Sequence, residues 1–119
     1  MQNLLYNKNI KLYMGVLKMP TLEQEFENEL LEKMLTAKIK CHYNPTYFNQ
    51  MLAEIGGVAT AKRLIQKAMQ SGEISDGFKK LLSLQRLDLT MEDSVCKEKY
   101  KELFSTDEIN FCKQLLGRK

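Results

Sequence analysis

The chain has 119 residues, 44% of them hydrophobic and 28% charged, with a formal charge of +3. This size suits one domain with a modest core, the composition is that of a folded protein, and no apolar run nears the roughly eighteen residues that cross a bilayer. Lys8, Lys11 and Lys18 sit at the start without an acid, so the remainder is neutral and net charge carries no argument for a polyanionic partner.

Residues 1–18, rich in Asn, Lys, Leu and Tyr, are read as a leader or extra N-terminal arm. They lack a helix cap and the apolar stretch and cleavage site of a secretory signal. Segment 15–19 reads as a translated ribosome-binding stretch running into a native start at Met19, and 19–119 as a single helical domain. Thr21 and Gln24 form a capping box. Leu22, Phe26, Leu30, Met34 and Ile39 follow at helical spacing, widened by Leu31 and Leu35, which predicts a helix over 22–41 with its apolar stripe inward. Glu23, Glu25, Glu27, Glu29 and Glu32 are read as a solvated acidic face near the helix start.

Asn44-Pro45 ends that helix and opens a second, whose face is Tyr47, Phe48, Met51, Leu52 and Ile55 and whose stop is the Gly56-Gly57 pair. A third runs over 58–70, with Val58, Ala61, Leu64, Ile65, Ala68 and Met69 inward. Ser75 caps a shorter helix through Phe78, Leu81, Leu82 and Leu84. Arg86-Leu87-Asp88-Leu89 alternates and is read as an extended connector. Leu87 and Leu89 are expected to be buried, with Arg86 or Asp88 tying the connector to neighbouring helix ends. Thr90 with Asp93 opens a helix bearing Met91 and Val95, and Ser105 with Glu108 caps a last one lined by Ile109, Cys112, Leu115 and Leu116. The fold class predicted is all-α, a compact bundle of five or six helices.

Candidate chemistry is sparse. Cys41, Cys96 and Cys112 are odd in number and widely spaced, which points away from a disulfide framework and toward small buried apolar groups. His42 beside Cys41 is poorly placed to share a tetrahedral ion with it and reads as a helix-terminal residue. Glu92-Asp93-Ser94 is read as an acidic first turn, and Gly56-Gly57 lacks the strand and Lys-Ser/Thr of a phosphate loop. No catalytic residue, cofactor or metal site is predicted. Met34, Met51 and Met69 are read as core fillers.

Residues 47–69 do form helix, glycine turn and helix, with Ala53 four residues before Gly57, as in helix-turn-helix proteins. The slots six and nine residues after that glycine should be apolar, yet they hold Arg63 and Gln66, so the register fails. Lys62, Arg63 and Lys67 still offer a nucleic-acid contact on the third helix.

From Tyr43 onward the chain resembles a group of small uncharacterised bacterial proteins and protein tails. The matching pieces are Asn44-Pro45-Thr46-Tyr47-Phe48, Gly56-Gly57-Val58 with Thr60-Ala61 and Leu64, Ser75-Asp76-Gly77-Phe78, and Arg86-Leu87-Asp88-Leu89-Thr90 with Glu92. It departs from that group near Leu84, where an aromatic is expected, and at 94–97, expected to be more apolar. The resemblance implies a fold and a bacterial origin but no activity. A cytoplasmic, non-enzymatic module that binds another protein is therefore expected, with Tyr47, Arg86 and Asp88 as a candidate partner groove and nucleic-acid binding as the alternative. No membrane partner is expected, and the oligomeric state is open.

Overall fold

Two reciprocal hydrogen bonds start the longest helix. The Gln24 backbone N–H donates to Thr21 Oγ1 at 3.1 Å, and the Thr21 N–H donates to Gln24 Oε1 at 2.9 Å. From this capping box α1 runs over Leu22–Cys41 and ends with His42 in the left-handed conformation, φ 53°. The computed structural model describes residues 19–119, and the leader or arm predicted over 1–18 lies outside the described residues. Five further α-helices follow: α2 (Thr46–Ile55), α3 (Gly57–Ser71), α4 (Asp76–Ser83), α5 (Met91–Val95) and α6 (Thr106–Leu115). Two 3-10 helical turns, Leu87–Leu89 and Glu98–Leu103, complete the order, and no strand occurs among the described residues. The protein is an all-α bundle.

Phe26 of α1 is the centre of the main core. Its ring meets Tyr100 edge-on at 5.2 Å between centroids and Phe104 at 5.1 Å, a geometry that aromatic quadrupoles favour. Leu30, Leu52, Ala61, Ile65, Met91, Val95 and Cys112 close around them. A smaller cluster of Ala37, Leu81 and Leu89, flanked by Cys41 and Tyr43, joins the C-terminal half of α1 to α4 and the turn after it. α6 begins with the second capping box, Ser105 with Glu108. Among the described residues no helix is long and apolar enough to cross a membrane.

Several local expectations need correction. Gly57 is not part of a cap pair: Gly56 alone takes the positive φ, 85°, and Gly57 is the first residue of α3. The Gly57 position lies against α1 so closely that a Cβ there would stand 2.8 Å from Glu27 Cα. The stretch predicted as an extended connector over 86–89 instead holds the 3-10 turn Leu87–Leu89, preceded by Arg86. Gln85 takes a left-handed φ of 59°, and the backbone N–H of Arg86 then folds back to the Leu81 carbonyl at 2.8 Å. In that turn Leu89 is buried and Leu87 only half-buried. Met69, Leu82 and Leu84, assigned inward, are exposed, because Ile65 and Ala68 on α3, and Phe78 and Leu81 on α4, already fill the inward positions.

Candidate binding surfaces

The largest departure from the sequence reading is the rotation of α1 about its axis. Phe26, Leu30, Lys33, Met34 and Ala37 are its buried residues. Ile39, thirteen positions after Phe26, lies about 220° round the helix from it and cannot share its face. Leu31, Leu35 and Ile39 are 49, 58 and 63% exposed. Spaced four apart, they form one apolar stripe on the outer side of the helix, with Asn28, Glu32 and Lys38 exposed beside them. No other described residue covers this stripe.

The glutamates read as a solvated face divide accordingly. Glu23 and Glu32 are exposed. Glu27 Oε1 instead accepts the Gly57 N–H at 2.9 Å, fixing the first turn of α3 on α1. Glu29 accepts the Tyr100 hydroxyl at 3.0 Å and pairs with Lys97 at 2.9 Å, while Glu25 pairs with Lys99 at 2.7 Å. Burial pushes the Glu29 carboxyl up, but its hydrogen bonds from Ser94, Lys97 and Tyr100 outweigh this and hold it below the usual range. Lys33, buried beside it, donates to Asp93 Oδ2 at 2.8 Å and to the Thr90 carbonyl at 2.9 Å. Arg118 reaches the other oxygen of Asp93 at 2.8 Å. These charges tie α1 to α3, to α5, to the turn Glu98–Leu103 and, through Asp93, to Arg118.

The basic third helix is also divided. Lys62 Nζ donates to Glu108 Oε1 at 2.9 Å and lies 5.3 Å from the Phe104 ring centroid, so it locks α3 to α6. Gln66 adds a second bond to Glu108 at 3.0 Å. Arg63 is exposed, and Lys67 lines a cavity. Of the candidate partner-groove residues, Tyr47 lines that cavity and Arg86 and Asp88 do not. Arg86 and Asp88 make a two-pronged ion pair with each other, both bonds 2.9 Å, on the exposed side of their turn. That pairing raises the Arg86 pKa and lowers that of Asp88. Tyr47 is 72% exposed on the wall of the same cavity as Lys67.

That cavity, about 540 Å³, opens between the N-terminal ends of α2, α4 and α5. Its wall is largely apolar and aromatic, including Tyr43, Phe48, Leu64, Phe78 and Met91. Glu92, which the sequence places in an ordinary acidic first turn, lines it too and is only 5% exposed. Its own backbone N–H supports its carboxyl, and no other described residue donates to it. Burial pushes its pKa up to about 7, with that N–H and the more distant Lys33 opposing. A glutamate in a helix's first turn carries no sequence mark of such a fate.

The remaining reactive side chains do not converge. Cys41 and Cys96 are half-buried, Cys112 is fully buried, and all three are free thiols. Burial raises the Cys96 and Cys112 thiols, which suppresses thiolate chemistry. His42 is the exposed C-cap of α1. Among the described residues no three His, Cys, Asp or Glu side chains gather as metal ligands would. No family model, no curated protein and no solved structure matches this chain.

Proposed function

We propose that this protein is a non-enzymatic bacterial module of the cytoplasm that acts, in an accessory or regulatory role, by binding another protein. The observation that carries this reading is the outer stripe of Leu31, Leu35 and Ile39 on α1, exposed at successive turns of a well-capped helix. Burying such a stripe in water is favourable, by about 25 cal/mol for each Å² covered, and a polar-rimmed apolar face is the usual mark of a protein partner. Spacing at i, i+4 and i+8 matches a partner that presents a groove or a second helix. The free thiols fit a reducing compartment, and the resemblance noted in the sequence supports the bacterial origin.

Capture from the native host tests the proposal against its nucleic-acid alternative. Tagged wild type, Leu35→Glu and Arg63→Glu are compared, with helical content checked by circular dichroism. The expected result is one protein retained by wild type and Arg63→Glu but lost, by tenfold or more, from Leu35→Glu. Equal recovery by Leu35→Glu would contradict the reading. A salt-sensitive shift of random duplex DNA that Arg63→Glu abolishes would favour the alternative instead.

A further inference from the structure

The cavity at the ends of α2, α4 and α5 shares no residue with the α1 stripe. Its volume, about 540 Å³, lies within the range of small-molecule pockets. Its aromatic and aliphatic wall would take the body of a ligand, but its charges decide the class. Lys67 and Lys79 on that wall are balanced by Glu73 and Asp76, so ionised Glu92 leaves the lining with one excess negative charge. None of these four makes an ion pair with Glu92. Lys33, the nearest cation from α1, is already held by Asp93 and the Thr90 carbonyl, and Cys96 and Cys112, on the side of α6, are thiols whose protons burial retains.

A buried carboxylate without a counter-ion is costly, and the cost is removed by a cation that brings hydrogen-bond donors to it. We propose that the cavity binds a small organic ammonium ion with an apolar or aromatic body, its ammonium group donating to Glu92 and its body resting among Tyr43, Phe48 and Phe78. An anionic ligand would meet Glu92 with repulsion. A purely apolar one would leave the carboxyl desolvated and unpaired.

The test uses a matched pair of probes, 2-phenylethylammonium and 2-phenylethanol, which share a body and differ in the cationic donor. Each is titrated into the full-length, isotope-labelled chain at pH 8, following the backbone amides of Phe78, Met91 and Glu92. The expected result is that the ammonium binds at least about tenfold more tightly than the alcohol, with shifts centred on those amides. In Glu92→Gln the preference falls to near unity while the alcohol binds as before. Wild type should show the same loss of preference at pH 5, where Glu92 carries a proton, so the test does not depend on the variant alone. Equal binding of the two probes at pH 8, a preference that survives in Glu92→Gln, or no response of the cavity amides at millimolar ammonium would each overturn the proposal.

Discussion

Glu92 and Glu29 are the same residue type with opposite consequences for stability. Glu29 is charged and well partnered, with its pKa lowered, so its contribution is present above the ordinary carboxylate pKa and is lost as acid protonates it. Glu92 has a folded pKa of about 7 against an ordinary 4.5. Its favourable contribution is complete below pH 4.5 and is lost as pH rises through 7, because the folded state then has to hold a buried charge without a counter-ion. Replacing it by Gln should therefore stabilise the protein by about 3 kcal/mol at pH 8 relative to the effect at pH 4. Urea unfolding of both proteins at the two pH values measures this directly. A difference independent of pH would show that the Glu92 carboxyl is not buried. Neither role is visible in the sequence, where Glu92 looks like any acid in a first turn and Glu29 like one of five on a helix surface. What separates them is which way α1 and α5 face, and that depends on contacts with residues sixty or more positions away.

At the scale of elements, caps were the most legible feature and helix rotation the least. Thr21 with Gln24, Ser75, Thr90 and Ser105 with Glu108 all cap the helices they were expected to start, because capping is a contact between residues three apart and needs no tertiary information. The inward face of α1 was misread since its outer side is apolar as well, leaving no clean amphipathic period to orient it. The Gly56-Gly57 pair was recognised as a helix break, but the pressure of α1 on Gly57 was invisible. A methyl group there would collide with the Glu27 backbone, which cannot yield as a flexible side chain does. Gly57→Ala should cost about 2 kcal/mol or more through displacement of α3 from α1, with loss of the Gly57 N–H bond to Glu27 adding to it. Thermal unfolding followed by circular dichroism reads the change. A midpoint unchanged from wild type would mean that the two helices are not packed at this distance.

For the whole molecule, the recurrence of apolar residues near every three and a half positions was sufficient to predict a helical bundle, and the number of α-helices among the described residues falls within the range expected. The function classes do not follow from the fold, since helical bundles host many activities. A proposal about function rests instead on what the bundle leaves outside. Lys62 pairs with Glu108, and Arg86 and Asp88 with each other, while the α1 stripe stays uncovered by the described residues. The most direct measurement is site-specific photo-crosslinking in the native host. A photoreactive residue is placed at Leu35 in one strain and at Asn110, an exposed position on α6, in another. The expected result is a discrete crosslinked protein adduct from position 35 and none of the same mass from position 110. No adduct at 35, or the same adduct from both positions, would contradict the assignment of this face of α1 to a protein partner.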